Sequence, residues 1–112
     1  MIKAIFFDVD GTLLSHKTKR IPPDAENALE ALRAKGIKIF MATGRHFTEL
    51  LQLPVNHIKF DGYVTLNGRL CLDTNGEILR GTPFDKELSE KLIAIFERKR
   101  YPLVLVEAQR IY

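Results

Sequence analysis

The chain has 112 residues, enough for one domain and too few for two complete ones, and its 46% hydrophobic and 28% charged residues exclude an intrinsically disordered segment. Seventeen basic against fourteen acidic residues give a net charge of +3, too mild and too interleaved with acids for a nucleic-acid binder. No apolar run approaches the ~20 residues of a membrane span, Met1-Ile2-Lys3-Ala4 lacks the layout of a signal peptide, and the lone Cys71 can form no internal disulfide, so a cytoplasmic protein without nucleic-acid or membrane partners is expected.

The first element is the apolar run Ile2 to Val9, bounded by Asp10-Gly11; it predicts a strand buried on both faces, with Phe6 and Phe7 in the sheet core beside Phe40 and Phe60. The basic group Lys17/Lys19/Arg20 follows, as Arg98/Lys99/Arg100 does near the other end. Each reads either as a solvated patch or as a rim that attracts phosphate. Ile21-Pro22-Pro23-Asp24 opens a helix, Ala25, Ala28, Leu29 and Leu32 recur at helical spacing, and Gly36 closes it. Ile37 to Ala42 is the next strand, and strand–helix–strand over this length predicts a parallel pair with a right-handed crossover. A short helix from Thr48 to about Leu53 stops at Pro54. Gly62 to Leu66 is a third strand. Arg69 to Leu72 and Glu77 to Leu79 form a hairpin through Asp73-Thr74-Asn75-Gly76. The lone Cys71, between Leu70 and Leu72, reads as a small buried hydrophobe. Beyond Gly81-Thr82-Pro83, Leu88, Leu92, Ile95 and Phe96 mark one face of a helix from Asp85 to Lys99, and Leu103 to Val106 a further strand. The fold class is therefore α/β, a Rossmann-like parallel sheet with a hairpin, divided into 1–81 and 82–112.

Two motifs carry chemistry. Asp8-Val9-Asp10-Gly11-Thr12 puts two carboxylates at the end of the first strand, where open parallel sheets bind ligands. Asp is disfavoured in a buried strand and costly there unpaired, a cost that a bound cation removes. Gly11 lets the backbone turn so that successive N–H groups face an anion; a plain turn with a solvated Asp8 is the simpler reading. By average residue usage the pattern arises by chance in roughly one chain in a thousand of this length. Ala42-Thr43-Gly44-Arg45 ends the second strand. If the two strands are neighbours, Thr43 sits beside Asp8, and its hydroxyl with the Gly44 amide suits a phosphoryl oxygen. Arg45 reaches substrate or caps a helix. His16, His46 and His57 have no metal-ligand spacing; His46 either faces the cleft or is an exposed or capping residue. Asn67-Gly68 ends the third strand toward the same place.

A strand ending in DVDGTLL, a second ending in MATGR and a third leading to LNGR resemble the haloacid dehalogenase superfamily, and more narrowly the Cof-type phosphatases, which carry an α/β cap after the second motif. The resemblance implies that residues 1–81 are the N-terminal part of the core and 82–112 the beginning of the cap. It implies Asp8 as nucleophile, Asp10 as general acid and base, and Mg²⁺ on the Asp8 carboxylate and the Asp10 carbonyl. It also implies Thr43, with Gly44 and Gly11, around the phosphoryl group, and Arg45 and Asn67 as candidate substrate contacts. The substrate class is a small phosphorylated metabolite, a sugar or cofactor phosphate. The pattern departs from the family in lacking its later lysine and its Gly-Asp-x-x-Asn-Asp acids: Glu107 is the only acid after Glu97. The chain therefore reads as the N-terminal piece of a longer phosphatase, with an open sheet edge and cap face that invite self-association. The alternatives are a non-catalytic phosphate- or metal-binding remnant, half of a split assembly, or a mutase of the same superfamily.

Overall fold

The computed structural model describes residues 1–112, which form two compact units, Met1–Gly81 and Thr82–Tyr112. The first unit is built on a five-stranded sheet in the order β1 (Ala4–Phe7), β2 (Lys38–Ala42), β3 (Gly62–Thr65), β4 (Leu70–Asp73) and β5 (Ile78–Gly81). β1, β2 and β3 run parallel, with Phe7 level with Met41 and Ala42 level with Val64; β4 and β5 return antiparallel as the hairpin. Helix α1 (Pro23–Ala34) makes the crossover from β1 to β2. Proline stands at its first turn, Asp24 and Glu26 face its positive end, and Gly36, at φ 72°, lets the chain leave it. A one-turn helix α2 (Phe47–Leu50) follows β2.

The core lies on one side of the sheet. Ile39 and Met41 point into it from β2 and meet Val9, Leu13, Leu14, Leu29, Leu50, Val55, Ile58 and Phe60. The alternate residues face the other way: Phe6 is 57% exposed and stacks on Phe40, with ring centroids 4.8 Å apart. A first strand buried on both faces, with Phe6 and Phe40 in the core, is thus corrected: β1 alternates exposed and half-buried. The reason is coverage. A parallel sheet buries both faces only when helices lie on both, and here α1 and residues 50–60 supply one layer. β1 is also an edge strand rather than a central one. Cys71 is half-buried, not buried, because Leu70 and Leu72 take the covered face of β4.

The second unit holds helix α3 (Lys86–Glu97), capped by Asp85, whose Oδ1 accepts the Leu88 N–H at 2.8 Å. Glu87 and Lys91 pair one turn apart at 2.6 Å. The strand expected over Leu103 to Val106 is not formed. Leu105 and Tyr112 exchange backbone hydrogen bonds, and Val106 and Ile111 make a single bridge. An isolated ribbon of this length has no third strand to hold it regular. No helix is long and apolar enough to cross a membrane.

Asp61 ties the start of β2 to the entry of β3. Its carboxylate accepts the Ile39 N–H at 2.9 Å and the Lys38 ammonium at 3.0 Å. Burial pushes the carboxyl up, while the Ile39 N–H and Lys38 pull it down, and the pull prevails. The folded pKa therefore lies below the unfolded value near 3.8, so the stabilisation is complete above that pH and fades as pH falls through the folded value. Asp61→Ala is expected to cost about 2 kcal/mol at pH 7 and clearly less at pH 2, read by urea denaturation at both. An equal loss at both would mean that charge plays no part.

Candidate active site

The parallel register makes the site. Asp8 follows the last residue of β1, Thr43 the last residue of β2, and Thr43 N–H donates to the Val64 carbonyl of β3 at 2.9 Å. Asp8, Ala42, Thr43, Gly44, Val64, Asn67 and Gly68 line a solvent-open cavity of about 340 Å³ at the carboxyl ends of the three parallel strands. The expectation that Thr43 lies at the neighbouring strand end to Asp8 holds. A second cavity of about 300 Å³, lined by Arg33, Lys38, Lys59 and Asp61 among others, sits at the opposite end of β2 and carries no such constellation.

The chemistry of each group follows from its partners. Asp8 is exposed, and no protein group bonds to its carboxylate. Thr43 is 8% exposed, and its Oγ1 accepts the Arg45 N–H at 3.1 Å, which leaves the hydroxyl hydrogen free to donate. The Gly44 N–H donates to no protein group. A Cβ at Gly44 would come within 2.9 Å of Asn67 Oδ1, so this glycine admits the Asn67 side chain against the loop. The Asn67 N–H donates to the Thr43 carbonyl and the Leu66 N–H to that of Arg45, both at 3.2 Å. Leu66, Asn67 and Gly68 all have positive φ, at 51°, 54° and 89°. For a leucine this is a strained conformation, and it is what doubles the chain back so that Asn67 faces Gly44.

Asp10 does not line the cavity. Arg45 holds it in a two-pronged fork, Nε donating to Oδ2 at 2.7 Å and Nη2 to Oδ1 at 2.9 Å, while Arg45 Nη1 lies 3.6 Å from Glu49 Oε1. The Arg45 guanidinium holds the Asp10 carboxyl below the usual range, with smaller help from His16 and Lys19. Arg45 thus bonds an acid of the first motif, a partnership that the sequence did not disclose because 35 positions separate the two. Glu49 Oε2 also accepts the His46 N–H at 2.8 Å, and His46 Nδ1 accepts the Thr48 N–H at 3.2 Å, a reciprocal cap on α2. Of the readings open for His46, capping is what it does, but at 1% exposure it is buried rather than exposed. Histidine is an uncommon cap, so its type gave no signal.

Gly11 adopts φ 82°, open to glycine at little cost, and a Cβ there would overlap the His16 ring. Gly11→Ala is expected to cost about 1–2 kcal/mol and to move the His16 ring. Thermal unfolding and the His16 imidazole resonances check this; an unchanged ring environment would count against the packing.

Comparison with known proteins identifies the family. The family model for haloacid dehalogenase-like hydrolases matches residues 5–112. The HMP-PP phosphatase of Yersinia pestis is 36% identical over 91 residues, which cover 80% of this chain and 33% of that protein. Among solved structures, a phosphatase of the superfamily from Bacteroides thetaiotaomicron superposes with a TM-score of 0.82 at 30% identity, over 99% of this chain and 41% of its own. A subclass IIB sugar phosphatase gives 0.75 at 41% identity, over 97% of this chain and 42% of its own. The chain therefore spans about a third of the curated relative and about two-fifths of these structures. With the family model matched over nearly its whole length and the α/β sheet shared, the chain belongs to the haloacid dehalogenase-like hydrolase family.

Proposed function

We propose that the protein carrying this chain is a Mg²⁺-dependent phosphatase of small phosphomonoesters, sugar or cofactor phosphates, that works through an aspartyl-phosphate on Asp8. The observation that carries the reading is the unpartnered Asp8 carboxylate with the uncommitted Thr43 hydroxyl hydrogen and Gly44 N–H around one cavity. Residues 1–81 are then the first part of a core and 82–112 the start of a cap.

The donor set is compatible with Mg²⁺. The Asp8 carboxylate and the Asp10 carbonyl, which takes no backbone hydrogen bond, are hard oxygens. They are two donors for six positions, and no three His, Cys, Asp or Glu side chains gather elsewhere. When bound, the ion supplies positive charge that offsets the repulsion between Asp8 and a phosphate.

The chain's own residues perform the rest. An Asp8 oxygen attacks phosphorus in line, and the bond to the leaving alcohol oxygen breaks. Thr43 donates its hydroxyl hydrogen, and Gly44 its N–H, to phosphoryl oxygens whose charge rises in the transition state. Asp10 gives the leaving oxygen a proton, then takes one from the water that attacks the aspartyl-phosphate and releases orthophosphate. Forked to Arg45, Asp10 stands in its ionised form, ready as the base; the acid step requires the fork to loosen and the carboxylate first to take up a proton from solvent. Asn67, against Gly44, is a candidate contact to the rest of the substrate, and Arg45 becomes one when the fork to Asp10 loosens.

In the complete protein Asp8→Asn is expected to lower kcat by about four powers of ten or more, and in the 112-residue chain it should leave Tm unchanged, since the carboxylate bonds nothing there. Mg²⁺-dependent turnover that survives the substitution, with mass spectrometry excluding deamidation, would overturn the nucleophile role.

The 112-residue chain alone lacks the family's lysine and later acids. Each such group is commonly worth ~3–4 kcal/mol, so its turnover should fall at least about four powers of ten below an ordinary ~10 s⁻¹. Its exposed Phe6 and the β1 edge should also drive self-association. A phosphatase assay beside size-exclusion chromatography reads both. Ordinary turnover by a monomer would show that the chain needs neither missing motif, and a monomer with no activity would refute the association alone.

A further inference from the structure

The loop His16-Lys17-Thr18-Lys19-Arg20 is absorbed by none of the roles above. Between Asp10 and Asp24 there is no acid, and this loop carries Lys17, Lys19 and Arg20 with His16. All are exposed, and none makes an ion pair. By contrast Arg45, the basic residue next to Thr43 and Gly44, is taken by Asp10 and Glu49.

The loop is built rather than frayed. Ser15 N–H donates to the Arg20 carbonyl at 3.0 Å and Lys19 N–H to the Ser15 carbonyl at 2.9 Å, closing the neck. Ser15 Oγ accepts the Lys17 and Thr18 N–H groups at 3.2 and 3.4 Å. Lys19 takes φ 55°, an unusual conformation for lysine. The neck grows from the turn that bears the first motif: Gly11 N–H donates to the Leu14 carbonyl at 2.8 Å, and the His16 ring lies against Gly11. Three cations without ion-pair partners are thus carried on a loop tethered to the turn that follows β1, the strand whose next residue, Asp8, lines the cavity.

We propose that the Ser15–Arg20 loop is a second anion subsite beside the Asp8–Thr43–Gly44 cavity, so that the site prefers a diphosphate ester to a simple monoester. The inference rests on reading that cavity as the phosphoryl site. One phosphate leaves the loop's charges unmatched. A second phosphate bonded directly to the first suits a subsite rooted on the same turn, and lysine and arginine are the side chains that bond its oxygens.

The test is binding by titration calorimetry to the 112-residue chain, with methylphosphonate and methylenebisphosphonate as probes at one fixed free Mg²⁺ concentration. The bisphosphonate is expected to bind about tenfold tighter or more. The triple variant Lys17→Gln/Lys19→Gln/Arg20→Gln should erase that preference and leave methylphosphonate affinity unchanged, with circular dichroism checking the fold. Equal affinity for the two probes, or a variant that weakens both alike, would overturn the subsite. Thr43→Val should weaken both probes. If it weakens neither, the reading of the cavity fails instead, and a bisphosphonate preference that persists would then belong to an isolated anion site and overturn the subsite as well. In the wild type, the bisphosphonate should move the backbone resonances of residues 16–20, and methylphosphonate should leave them in place.

Discussion

Everything in the candidate site depends on the parallel pairing of β1 with β2. Neither strand alone holds more than a fragment of chemistry: one ends in a carboxylate, the other in a hydroxyl and a free amide. Phe7 level with Met41 sets those ends side by side, and α1 makes the two strands parallel by carrying the chain across one face and returning it in the same direction. A slip of one residue would reverse every side chain of β1 and expose Ile5 and Phe7 in place of Phe6. The apolar alternation that builds the core thus also places the acid.

The site's charges divide into those already neutralised and those left open. Arg45 is neutralised by Asp10 and Glu49, so it contributes order rather than net attraction. Asp8 is left open, as are the cations of the 16–20 loop. A negative centre and a positive rim on one turn are the pattern expected of a surface that must accept a cation and an anion together.

Much of this was legible in the sequence, and the reasons differ by element. The strands, the βαβ unit and the hairpin follow from local signals: apolar runs, Pro22-Pro23, and glycines at turns. Asp8, Thr43 and Gly44 were legible because a motif at a strand end already states its place in a parallel sheet. What was not legible is long-range or conditional. The one-sided core depends on how many layers cover the sheet, which β-propensity does not report. The failure of Leu103–Val106 to form a strand depends on a missing partner. The Asp10–Arg45 fork joins two local patterns across the fold, and the left-handed Leu66 has no signature in its residue type.

Glu49 links matters that are usually kept apart. One of its oxygens closes the cap of α2 and the other lies beside the guanidinium that holds Asp10. To the helix it is an ordinary capping acid, the sort of residue exchanged freely for aspartate or glutamine when a surface is tuned for thermal tolerance. Here the shorter or neutral replacement would also take away one of the two acids around Arg45 and leave the Asp10 fork as its remaining ion pair. Natural drift and engineering alike would meet the same coupling: recapping α2 also changes the charge around the guanidinium that holds Asp10.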